Sequence, residues 1–170
     1  MRLLRCLILT FILLLAPASL MVQAQQQQDK DKNDDNGTAR IVVMSRLRAA
    51  AVQHEVIALA IKENKFQNVL PELKKIFDLE LPTDYEIYEV REVYGVIQKL
   101  SEKRQFPVAQ GAVDLALKYL KQDDSKLALY LMKAGLHRDA GQLREAGEAY
   151  EQARKFQLQM ESRPDRENKQ

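Results

Sequence analysis

The sequence predicts an all-α protein whose helices pack as three antiparallel hairpins, and three observations carry that expectation. Between residues 39 and 160 apolar residues recur at intervals of three and four, which brings their side chains to one face of a helix. No run in that span alternates apolar and polar residues as a half-buried strand does. Helix-starting and helix-breaking residues divide the span into six periodic stretches joined by short turns.

Taken from the N-terminus, the first element is a leader. The 170-residue chain opens MRLLRCLILTFILLLAPASLMVQAQQQQ: Arg2 and Arg5, an apolar run from Leu7 to Leu15, then Pro17 and the small-residue site Val22-Gln23-Ala24. These are the three parts of a secretory signal peptide, so residues 1–24 are expected to be removed on export to the periplasm or the exterior. Left uncleaved, the leader would act as a membrane anchor, since Leu7 to Val22 falls only slightly short of the roughly 17–25 residues that span a bilayer. Loss of Arg2 and Arg5 from 26 basic residues leaves 24 against 24 acidic ones. A neutral mature chain without a basic stripe gives no electrostatic footprint for nucleic acid. The single cysteine, Cys6, lies in the leader, so the mature chain forms no disulfide and depends on packing.

Residues 25–39 begin QQQQDKDKNDDN, a stretch with no apolar side chain to offset the entropy of ordering, and they are expected to be a disordered linker. Asn36-Gly37-Thr38 matches a glycosylation sequon that matters only in a eukaryotic secretory pathway. The helical domain follows over 40–160, and 161–170 is a polar tail.

Within the domain, Asn64 and Lys65 end the first helix, and Asn68 is the expected cap of the second, which places Pro71 in a first turn where a missing N–H costs nothing. Thr83 and Glu86 have the spacing of a capping box for the third helix. Pro107 suits the first turn of the fourth, Asp123-Asp124-Ser125 offers caps for the fifth, and Gly141 marks the turn into the sixth. Helix lengths of roughly 12–22 residues follow from these breaks.

The sixth helix repeats the fourth. GQLREAGEAYEQARKF, from Gly141 to Phe156, aligns at an offset of 37 with RQFPVAQGAVDLALKY, from Arg104 to Tyr119. Phe106 meets Leu143, Ala109 meets Ala146, Ala112 meets Ala149, Val113 meets Tyr150, Ala116 meets Ala153 and Tyr119 meets Phe156. Small falls on small and bulk on bulk, as close helix approach requires when alanines admit a neighbour and Tyr150 and Phe156 fill the space between hairpins. A weaker upstream copy places Lys65, Phe66, Val69, Leu73 and Ile76 39 or 40 residues before their counterparts.

On these residues the segment from Tyr130 to Phe156 resembles a tetratricopeptide repeat, a helix–turn–helix unit of roughly 34 residues. Ala134 takes the small position of the first helix, Gly141 the turn, Ala146 the alanine of the second helix, Tyr150 its aromatic and Ala153 its second alanine. Lys133, His137 and Leu158 depart from the pattern, as does Ile97 in the preceding copy. The resemblance implies hairpins stacked as a short right-handed solenoid, whose first helices line a concave groove. It would turn His54, Arg91, Tyr94, Gln98, Leu131 and Arg138 toward that groove, with Tyr94 and Arg138 the foremost candidates because tyrosine and arginine dominate binding hot spots.

The residues give little support to catalysis. His54 and His137 are the only histidines; His54-Glu55 lacks the second histidine of a metalloprotease helix, and His137-Arg138-Asp139 has none of the loops that accompany a kinase triplet. His137 is expected near the end of the fifth helix, facing its negative dipole. Glu86, Glu89 and Glu92 read as one edge of a solvated face. No phosphate loop, dinucleotide fingerprint or metal-ligand spacing occurs, so neither enzyme nor cofactor is expected. The function that fits is an exported helical-repeat module or scaffold that binds another protein or a peptide segment. The alternatives are a self-associating component of an envelope complex, or a bundle that holds a small ligand or metal.

Overall fold

The structure is a computed structural model that describes residues 16–163, which form helices joined by turns and short irregular links, with no strand among the described residues. Cys6, the apolar run Leu7 to Leu15 and the last residues of the polar tail lie outside the described residues. Six α-helices follow in order: α1 (Ala16–Lys62), α2 (Val69–Phe77), α3 (Glu86–Glu102), α4 (Phe106–Tyr119), α5 (Asp123–Asp139) and α6 (Leu143–Glu161). Short 3-10 turns, Phe66–Asn68 and Thr83–Tyr85, lead into α2 and α3. Among the described residues no helix is long and apolar enough to cross a membrane.

The chain divides into two compact units, Met1–Met44 and Ser45–Gln170. In the first, the described residues belong to α1, so the backbone of residues 25–39 is helical where composition leads one to expect a disordered linker. Glutamine, lysine and alanine favour helix and no proline interrupts the stretch between Pro17 and Pro71. Ile41, Val42 and Met44 of this unit are exposed.

The second unit holds the three hairpins, and each turns in the same way. At the end of α1, Asn64 takes a positive φ of 60°, with Lys65 N donating to Ala60 O (2.8 Å) and Asn64 N to Ile61 O (3.1 Å). At the end of α3, Arg104 has φ 54°, with Gln105 N donating to Leu100 O and Arg104 N to Ser101 O, both at 2.9 Å. At the end of α5, Gly141 has φ 78°, with Gln142 N donating to His137 O (2.8 Å) and Gly141 N to Arg138 O (3.0 Å). All three are Schellman turns, in which a left-handed residue lets two amides satisfy the last carbonyls of the helix. They sit 40 and 37 positions apart, the spacing found between the sequence copies.

Packing follows the same order. α3 lies against α4 and α5 against α6 within hairpins, while α2 meets α4 and α3 meets α5 between them. The core contains Ile57, Val69, Leu73, Ile76, Val93, Leu100, Val113 and Leu129, all essentially without exposure. Ala109, Ala112, Ala116 and Ala134 are fully buried and Ala146, Ala149 and Ala153 nearly so, whereas Phe106 packs partly buried at the core edge. The sorting of alanine from bulk thus corresponds to which face each helix turns inward.

Three expectations need correction. Tyr150 does not fill a space between hairpins: it is 43% exposed on the outer face of α6, and Phe156 instead stacks on Tyr130 of α5 at a centroid distance of 5.7 Å. Helix lengths spread beyond the expected range, from 9 residues in α2 to 47 in α1. The caps also differ from expectation: Asn68 makes no side-chain capping bond, α3 and α5 start after Tyr85 and Gln122, and the entry to α5 is held from another helix, as described next.

Candidate functional site

An exposed trough lies between α3 and α5. On α3, Ile87, Arg91, Tyr94 and Gln98 follow one another at helical spacing on the face turned away from the core, and Ile87 and Tyr94 are exposed. On α5 the corresponding face carries Leu131 and Arg138, with Leu131 exposed. A cavity of about 600 Å³ is lined by Tyr94, Ile97, Gln98, Leu131, Met132 and Arg138, among others. A second, of about 420 Å³, takes in Ile87, Tyr88, Val90 and Arg91 and shares Tyr94 and Met132 with the first. The two form one apolar trough edged by polar groups. Gln98 Nε2 donates to Tyr94 Oη at 2.7 Å, which fixes the ring's tip. Arg91 lies over the Tyr88 ring at 5.3 Å, and Arg138 Nε donates to Asp139 Oδ1 at 3.0 Å. Both guanidinium groups are exposed, so each keeps donors for an incoming acidic group.

Five of the six expected groove residues, Arg91, Tyr94, Gln98, Leu131 and Arg138, thus lie along this trough, and His54 does not. Its side chain is 12% exposed and sits edge-on to Tyr88, with Nδ1 3.6 Å from a carboxylate oxygen of Glu92. Nε2 is sealed with no hydrogen-bond partner. Burial, aided by Lys99, lowers the imidazole pKa against the pull of Glu92 and Glu55. His54 is therefore a packing residue of α1. His137 lies in the last turn of α5, its Nδ1 2.7 Å from Gln142 Oε1 and 3.2 Å from Gln110 Nε2, a polar tie among α5, α4 and the hairpin turn.

The carboxylates of α3 do not form a solvated face. Glu86 and Glu89 are only 4% and 5% exposed. Glu86 accepts from Lys121 N at 2.9 Å and Gln122 N at 2.8 Å, so it caps α5 from a different helix, at the end where the helix dipole favours negative charge. Glu89 accepts nothing: no hydrogen bond or ion pair to it occurs among the described residues. Burial, with the charge of Glu86 adding to it, pushes its pKa up to about 7. A signal for this was present in the sequence. Counting back from Leu100 by helical spacing reaches Ile97, Val93 and then both Glu89 and Glu86, the core-facing side of α3.

Among the described residues no three potential ligands converge on a metal position. No protein-family model matches the chain, and no curated protein or solved structure matches it either.

Proposed function

We propose that the protein is an exported, helical-repeat binding module whose α3–α5 trough receives a segment of another protein, and that it works by binding rather than by catalysis. The observation that carries this reading is the convergence of exposed Tyr94 and Leu131 with Arg91, Gln98 and Arg138 on one continuous trough. Tyrosine and arginine at the edge of an apolar groove are the side chains on which binding energy concentrates. The three like turns and the meeting of first helix with first helix favour a tetratricopeptide-like solenoid as the architecture, with the groove on its concave side. Export rests on the leader sequence, which places the partner in the periplasm or outside the cell.

A Tyr94→Ala, Arg138→Ala double variant tests this directly. Both side chains are exposed, so the variant is expected to stay folded while losing about 30-fold or more in partner affinity, the effect of removing roughly 2 kcal/mol of hot-spot contact. Unchanged recovery of the partner in a pulldown sinks the site assignment.

A second reading has its own observation. α6 packs chiefly on α5, and its outer face exposes Leu143 (72%), Tyr150 (43%) and Leu158 (51%) at spacings of seven and eight. Such an exposed apolar stripe suits self-association with a second copy. Light scattering at micromolar concentration distinguishes the two, because a strict monomer removes the self-assembling scaffold.

A further inference from the structure

Away from the trough, a cavity of about 540 Å³ opens where the end of α2, the following loop and the start of α3 face the end of α4. Its wall is apolar on one side: Phe77 and Tyr119 stack at a centroid distance of 5.1 Å with planes 15° apart. The charged lining groups are mostly acidic, with Asp78 and Glu80 from the loop and Glu86 and Glu89 from α3, against Lys121 among the described lining residues. Asp78 is already matched by Lys74 at 2.6 Å and by the Tyr119 hydroxyl at 3.3 Å. Glu80 is exposed at the mouth, where its backbone oxygen accepts from Arg46 Nη1 at 2.8 Å while its carboxylate has no partner among the described residues, and Glu89 lies at the buried end, likewise without one. Glu89, 95% removed from solvent as a residue, thus lines the cavity with a carboxylate that accepts from no other described residue. It is not sealed as His54 Nε2 is, so its oxygens open onto the cavity and a donor for them comes from whatever fills that space.

We propose that this cavity binds a linear aliphatic polyamine, with one ammonium against Glu89 beside Glu86, the methylenes along the Phe77–Tyr119 wall and a second ammonium near Glu80. An ammonium carries three donors and a charge that offsets the burial of a carboxylate, and an aromatic face attracts it further. The volume suits a small organic molecule, and among the described residues no three potential metal ligands converge there. Binding draws Glu89 into its ionised form. Of the groups facing it, Glu86 opposes that ionisation and the bound ammonium favours it, while Asp78 is held by Lys74 and Lys121 lies at the α4 end. Amine binding therefore expels a proton near neutrality.

Isothermal titration of the purified protein with spermidine tests the proposal. Affinity is expected to rise about tenfold between pH 6 and pH 8, with release of up to one proton near pH 7, detected by repeating the titration in buffers of different ionisation enthalpy. Glu89→Gln should weaken binding at least tenfold at pH 8 and abolish the pH dependence, while its melting curve shows an intact fold. Glu148→Gln, on α6 away from the cavity, should bind as the parent does. The proposal is overturned by the absence of saturable heat at millimolar spermidine, by a Glu89→Gln variant that binds equally well, or by tighter binding of calcium or of Nα-acetyl-lysine amide at the same site.

Discussion

Glu89→Gln also isolates an energetic consequence of how α3 is built. In the folded chain the carboxyl is 5% exposed and its pKa stands near 7, against 4.5 for the free side chain, with burial the larger cause and Glu86 the smaller. As pH rises through that window the unfolded chain releases its proton first, so ionisation progressively favours unfolding. The fold is fully relieved of this cost below about pH 4.5 and bears all of it above about pH 7. At about 1.4 kcal/mol per unit of pKa difference, the burden above pH 7 is at most about 3 kcal/mol. Glutamine keeps the shape and carries no charge at any pH. The variant should therefore match the parent near pH 4.5 and exceed it by up to about 3 kcal/mol at pH 8.5, on the order of 10 °C in Tm for a domain of this size. Thermal melts at the two pH values check it. Parallel pH profiles for parent and variant, or a variant that is less stable at pH 8.5, refute the buried-acid account.

The other expectations concern caps, turns and the sealed histidine. Glu86→Ala should cost about 2 kcal/mol in urea denaturation, because it strips two backbone donors at the start of α5 of their acceptor. Gly141→Ala should cost about 1 kcal/mol and Arg104→Gly gain a similar amount, since both residues hold positive φ in equivalent turns; opposite signs in paired melts confirm the shared geometry. His54→Phe keeps the edge contact with Tyr88 and removes an unpartnered nitrogen, so it should stabilise by about 1 kcal/mol at pH 8. That advantage should grow as pH falls through 6.5, where the unfolded histidine takes up a proton that the folded one resists.

Six helices and their breaks were legible because local chemistry sets them. Asn64, Pro107 and Gly141 act on their own backbone and so mark α1, α4 and α6 correctly. The groove candidates come from the tetratricopeptide resemblance, and of those Tyr94, Gln98, Leu131 and Arg138 line one cavity. Errors arose wherever a residue's partner is distant in the chain. Glu86 has the spacing to cap its own helix, yet it caps α5, thirty-five residues away, because the hairpins bring Lys121 N to it. His54 lies on the side of α1 that Tyr88 and Glu92 cover, and Tyr150 lies on the outer face of α6 with no described helix over it. Such contacts depend on how hairpins meet, which periodicity within one helix does not encode.

The central claim, that the α3–α5 trough is the partner-binding surface, is tested most directly by placing a photoreactive phenylalanine derivative at position 94 in cells that make the protein. The derivative at position 155, an exposed site on α6, serves as the control. Irradiation should yield one covalent adduct with a different protein from position 94, lost when Arg138→Ala is added and absent from position 155. An adduct only with a second copy of the chain, or equal yields from the two positions, contradicts the account.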